Sequence, residues 1–74
     1  MSLMIELNKT YQLSTNGKKF NKSIQGTEDE EWILPSHITV QSHIKVWDMY
    51  LVSLMGDDTI TLAPHTIEDY YEPL

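Results

Sequence analysis

His37-Ile38-Thr39-Val40-Gln41-Ser42-His43-Ile44-Lys45-Val46-Trp47 is the stretch whose reading decides the fold. Its period of two places Ile38, Val40, Ile44 and Val46 on one face of a strand. His37, Thr39, Gln41, His43, Lys45 and Trp47 fall on the other. Downstream, Met49 to Met55 is more continuously apolar, as in a strand covered on both faces at the core centre, or one that changes face across a bulge near Asp48. In the second case the bulge returns Trp47 to the core; in the first Trp47 stays on the polar side.

Gly56-Asp57-Asp58 then separates this strand from the β-branched Thr59-Ile60-Thr61-Leu62, a hairpin pattern. Thr66 ahead of Ile67-Glu68-Asp69-Tyr70-Tyr71 supplies a hydroxyl cap and first-turn carboxylates for a helical turn or two, which Pro73 ends. Upstream, Ile5, Leu7, Tyr11 and Leu13 alternate with polar residues and predict a strand near Thr10 to Leu13. Ser14-Thr15-Asn16-Gly17 reads as a tight hairpin turn, with a returning strand anchored by Phe20 and Ile24. Gln25 to Glu31 reads as an acidic loop or the first turn of a short helix, with Thr27 as cap and Glu30 at the third position, stopped by Pro35.

Five or so short strands and one C-terminal helical turn define a mainly β protein. The expected architecture is a small antiparallel barrel or rolled sheet of SH3-like topology. Residues 4–74 read as one small β-rich domain, and the doubled methionine marks Met1-Ser2-Leu3 as a leader ahead of Met4. Seventy-four residues with 41% apolar and 22% charged side chains lie near the lower size for a core without staples. Cysteine is absent, so neither disulfides nor thiolate metal sites are available, and the composition suits a reducing cytoplasm. The longest apolar runs, Trp32-Ile33-Leu34 and Met49-Tyr50-Leu51-Val52, fall far short of the roughly 20 residues of a membrane span.

Charge is segregated along the chain. Residues 1–26 carry four lysines and one carboxylate, whereas residues 27–74 carry one lysine and ten carboxylates, within a formal net charge of −6. Such a distribution steers partners without specifying the fold.

Chemistry-bearing patterns are sparse. His37 and His43 share parity, but six residues of strand span about 20 Å, against ligand distances of about 2 Å at a metal; with His65 they read as surface histidines. The acidic clusters Glu28 to Glu31 and Asp57-Asp58 lack the ligand spacing of a calcium loop. Ser36 beside His37 is adjacency rather than a dyad, and no phosphate loop, nucleophile elbow or His-Glu-x-x-His pattern occurs. Neither enzymatic activity nor a cofactor is expected.

Lys18, Lys19 and Lys22 around Phe20, near Tyr11, would give a weak nucleic-acid-binding hairpin, but arginine is absent and the remaining surface repels a polyanion. The converse is an acidic face, Glu28, Asp29, Glu30 and Glu31, that mimics nucleic acid and inhibits a basic protein. Aromatic residues are frequent interface anchors, and Trp32, Trp47, Tyr50, Tyr70 and Tyr71 all lie in the acidic part of the chain.

Gly56-Asp57-Asp58-Thr59-Ile60-Thr61-Leu62 followed by Thr66-Ile67-Glu68-Asp69-Tyr70-Tyr71-Glu72-Pro73 resembles the tails of short phage and prophage accessory proteins. The resemblance covers about a quarter of the chain. It implies a small protein that acts by binding, and no site residue comes over with it. The expected function is a non-enzymatic protein-interaction module, an exposed apolar and aromatic sheet face with acidic flanks that meets a basic protein or a second copy in a homodimer. Trp47, His43, Lys45, Tyr70 and Tyr71 are its candidate contacts.

Overall fold

The structure is a computed structural model that describes residues 5–56 and 58–74. The leader reading of Met1-Ser2-Leu3 and the central residue of the Gly56-Asp57-Asp58 turn lie outside the described residues. In chain order the elements are β1 (Thr10–Leu13), α1 (Thr15–Ile24), a 3-10 turn (Glu28–Trp32), β2 (His37–Ile44), β3 (Met49–Ser53), β4 (Thr59–Leu62), α2 (Pro64–Tyr70) and β5 (Tyr71–Pro73). The strands form one antiparallel sheet in the order β4-β3-β2-β1-β5. The mainly β class and the terminal helix are as expected. The sheet is open rather than closed into a barrel, with β4 and β5 at its two edges.

The largest departure from the sequence reading lies at Ser14 to Ile24. Instead of a hairpin and a returning strand, the segment is the ten-residue helix α1. Ser14 is its N-cap, its Oγ accepting from the Gly17 N–H at 3.3 Å, which satisfies one of the free donors of the first turn. Gly17 therefore does not supply a positive φ. It permits close approach instead: a Cβ there would collide with the Tyr70 carbonyl oxygen and sit 2.6 Å from Leu13 Cδ2. The helix ends where Gln25 leaves helical geometry, and Gly26 follows at φ 80°, the left-handed position that glycine takes without steric cost.

The 3-10 turn follows the expected cap, with Thr27 Oγ1 accepting from Asp29 N–H at 3.1 Å. At the C-terminal end the expected cap is displaced. Ala63 is the N-cap of α2, Pro64 stands at the first helical position where no N–H is required, and Thr66 lies inside the helix. Pro73 does not end the helix but sits in β5, an edge strand where a missing donor is tolerated.

β2 runs as predicted from His37 to Ile44, but Lys45 to Asp48 form the turn to β3 rather than more strand. A bulge between Val40 and Ser42, not near Asp48, shifts the register, so that Val40 faces Val52 while His43 faces Tyr50. His43 thereby joins the face of Val40, reversing its expected side. β3 lies between β2 and β4, and Val52 is its fully buried residue.

One face of the sheet carries the core. Tyr11, Ile38, Val40, Val52 and Ile67 are completely or almost completely buried, with Leu13, Leu62 and Tyr71 beside them. Each such apolar side chain contributes about 1.5–3 kcal/mol through removal from water. Tyr71, a candidate contact residue in the sequence, belongs to this core at 3% exposure and so is not available as a surface contact.

Candidate functional site

The α1–α2 cover leaves the β4 end of the core face open. A groove of about 340 Å³ lies there, lined chiefly by Phe20 of α1, Trp32 and Leu34, Leu62 of β4 and Tyr70 of α2. A second cleft of about 240 Å³ separates Glu31–Pro35 from Ile60–Leu62. Trp32, Leu34, Thr61 and Leu62 line both depressions, so the two meet beside β4.

Local contacts fix the walls. The Phe20 and Tyr70 rings lie with centroids 4.8 Å apart, joining α1 to α2. Asn21 reaches from α1 to the opposite lip, its Nδ2 donating to the Leu34 carbonyl at 2.9 Å while its Oδ1 accepts from Leu34 N–H at 2.7 Å. Tyr71 anchors the segment from beneath, its hydroxyl donating to the Pro35 carbonyl at 2.6 Å. Burial pushes the Tyr71 phenol well above the ordinary tyrosine range, because the phenolate would lose its hydration. Held on both sides, the segment presents Trp32 at 65% exposure.

Glu28, Asp29, Glu30 and Glu31 occupy the 3-10 turn that leads into Trp32, and all four are exposed. Among the described residues the oppositely charged contacts are Lys9–Glu6 and, when the imidazole is protonated, His43–Asp48, so none of them pairs this acidic run with a cation. An apolar groove thus adjoins uncompensated negative charge.

The predicted contacts divide between two places. Tyr70 lines the groove. Trp47, Lys45 and His43 lie at the β2–β3 hairpin and line neither depression, although Met49, which opens β3, reaches the groove; Trp47 is 69% exposed there. There His43 Nε2 stands 2.9 Å from Asp48 Oδ1, and its ring lies 4.7 Å from that of Tyr50. Lys18 and Lys22 border a third, shallow cleft with Leu13 and Ile33. No group of three histidine or carboxylate side chains among the described residues could hold a metal ion. No helix among them is long and apolar enough to cross a membrane.

The sequence reading named Trp32 only as one of five candidate aromatic anchors and Phe20 only within the lysine segment, and it did not name Leu34 as a site residue. The available signal was the spacing of Leu13, Gly17, Phe20 and Ile24, which is helical and would have turned Phe20 toward Tyr70. Comparison of the chain with protein-family models, with curated proteins and with solved structures finds no match.

Proposed function

We propose that the chain is a non-enzymatic protein-interaction module, an accessory protein of the phage and prophage type acting in the cytoplasm, that grips a basic and apolar segment of another protein. The observation that carries this reading is Trp32, exposed between the acidic run Glu28–Glu31 and the groove of Phe20, Leu34, Leu62 and Tyr70. An aromatic anchor beside an apolar cavity supplies affinity, and the adjacent charge favours a cationic flank. The scaffold reads as an SH3-like roll. Support comes from the strand order, in which β5 returns to β1 after a short helix, and from the bulge that increases twist in β2. This is fold-level analogy and carries no function by itself.

The nucleic-acid readings find less support. Lys18, Lys19 and Lys22 lie on a helix instead of the expected hairpin. The four acids wind around a 3-10 axis of about three residues per turn, which puts only Glu28 and Glu31 on one side rather than all four in a phosphate-like row.

Calorimetric titration with short lysine- and valine-containing peptides tests the reading. Binding should weaken at least tenfold in Trp32→Ala and fall only shallowly with salt, because apolar contact supplies most of the affinity. Binding that is indifferent to Trp32→Ala and collapses with salt would instead assign the interaction to charge alone.

A further inference from the structure

We infer that the segment held by this groove binds as an added strand along the free edge of β4. The inference rests on the groove reading above and goes further in specifying the conformation of the occupant: an extended stretch of another protein, alternating apolar and basic residues.

The two edges of the sheet are built differently. β5 is three residues long and contains Glu72 and Pro73, a charge and a missing donor that both discourage further pairing. β4 reads Thr59-Ile60-Thr61-Leu62, with no charge, no proline and no bulge. Such an edge is a template for another strand unless something covers it.

Register shows which backbone groups are on offer. Leu54 N–H donates to the Asp58 carbonyl at 2.9 Å, and the pairs that follow are Ser53 with Thr59, Val52 with Ile60, Leu51 with Thr61 and Tyr50 with Leu62. Bonded and non-bonded pairs alternate in an antiparallel ladder. Ile60 and Leu62 therefore turn their N–H and C=O groups toward β3, and Thr59 and Thr61 turn theirs outward. An incoming strand that bonds to Thr59 and Thr61 runs beside both depressions, since each includes Thr61 and Leu62. Its alternate side chains can then fill them.

Charge selects the occupant. The unneutralised run Glu28–Glu31 leads into Trp32 on the same groove, so lysine or arginine on the incoming strand finds opposite charge. A second copy cannot supply this strand from its own lysine-rich segment, because Lys18, Lys19 and Lys22 are held in α1.

The test uses the full chain, isotopically labelled, with a short amidated peptide that alternates lysine and valine. The control is a peptide of the same composition with its lysines and valines in separate blocks. Amide exchange measured by NMR should slow at least tenfold at Thr59 and Thr61 when the alternating peptide binds. Ile60 and Leu62, already bonded to β3, should change little. N-methylation of alternate peptide residues should weaken binding at least tenfold in one register and much less in the other. Thr61→Pro, which removes an outward donor, should abolish the effect, and the N-methylated peptides make the same point if that variant does not fold.

Binding that depends on Trp32 but leaves Thr59 and Thr61 exchange unchanged would overturn strand addition while keeping the groove. Binding of neither peptide would remove both. Slow exchange at Thr59 and Thr61 without peptide, together with a dimeric mass, would overturn the proposal by giving the edge to a second copy.

Discussion

Tyr71 donates its hydroxyl to the carbonyl of Pro35 at 2.6 Å, joining residues 36 apart in sequence and bringing β5 onto the segment that enters β2. This bond stands beneath the lip that carries Leu34 and Trp32. Tyr71→Phe keeps the ring and leaves a part-buried carbonyl without its donor. The expected cost is about 1–2 kcal/mol, read from urea denaturation at neutral pH.

The same residue gives an alkaline signature. Burial raises the folded-state pKa of Tyr71 above the unfolded value of about 10, so above that pH the folded state holds a proton that the unfolded chain has released. Stability contributed by the neutral phenol is complete below pH of about 10 and declines as pH rises beyond it. Denaturation midpoints of wild type and Tyr71→Phe should converge on moving from about pH 8 to about pH 11.

Gly17→Ala should destabilise the fold, although alanine is the better helix former. The added methyl meets the Tyr70 carbonyl and Leu13, and backbone cannot yield as a flexible side chain does. The cost of overpacking, about 1–3 kcal/mol, exceeds the propensity gain of about 1 kcal/mol. Thermal unfolding of the variant checks the sign.

Asn21→Ala should act on the groove as well as on stability. It removes both bonds to Leu34 and frees the lip from α1. A loss of about 1–3 kcal/mol is expected, with faster amide exchange at Leu34 and weaker peptide binding. Asn21→Asp retains an acceptor for Leu34 N–H but faces the Leu34 carbonyl with oxygen, so it should not restore the wild-type value.

Trp47→Ala separates the two aromatic places. The side chain is 69% exposed at the hairpin turn and lines neither depression, so stability should change by no more than about 0.5 kcal/mol. Peptide binding should also be unchanged. A tenfold loss of binding in Trp47→Ala would move the site to the β2–β3 hairpin.

The strands were legible where side chains alternate between water and core. Thr10–Leu13, His37–Ile44 and Thr59–Leu62 are cases of this kind, and the Thr27 cap was equally plain. Ser14 to Ile24 was misread because Asn16-Gly17 is also a strong turn signal. The requirement for glycine comes from Tyr70, a contact absent from local sequence. The bulge in β2 was invisible for a similar reason, since register belongs to a pair of strands and Gln41 alone does not announce it. The charged part of the candidate site was readable as Glu28–Glu31. Its apolar part was legible only at Tyr70, because Phe20 of α1, Trp32 of the 3-10 turn and Leu62 of β4 meet Tyr70 of α2 only through tertiary packing.

β1 occupies the inside of the sheet, yet its second neighbour is the last of the five strands in chain order: Tyr11 lies opposite Pro73. On the ribosome, β1, β2, β3 and β4 can assemble as the chain emerges, while the outer side of β1 remains an open template until Tyr71–Pro73 is released. Closing so long a loop makes the final pairing slow compared with the local hairpins. Until then Ile67 and Tyr71 cannot complete the core, and the nascent chain has two adhesive edges where the finished protein keeps one. Translation thus sets a brief period of aggregation risk that ends when β5 docks.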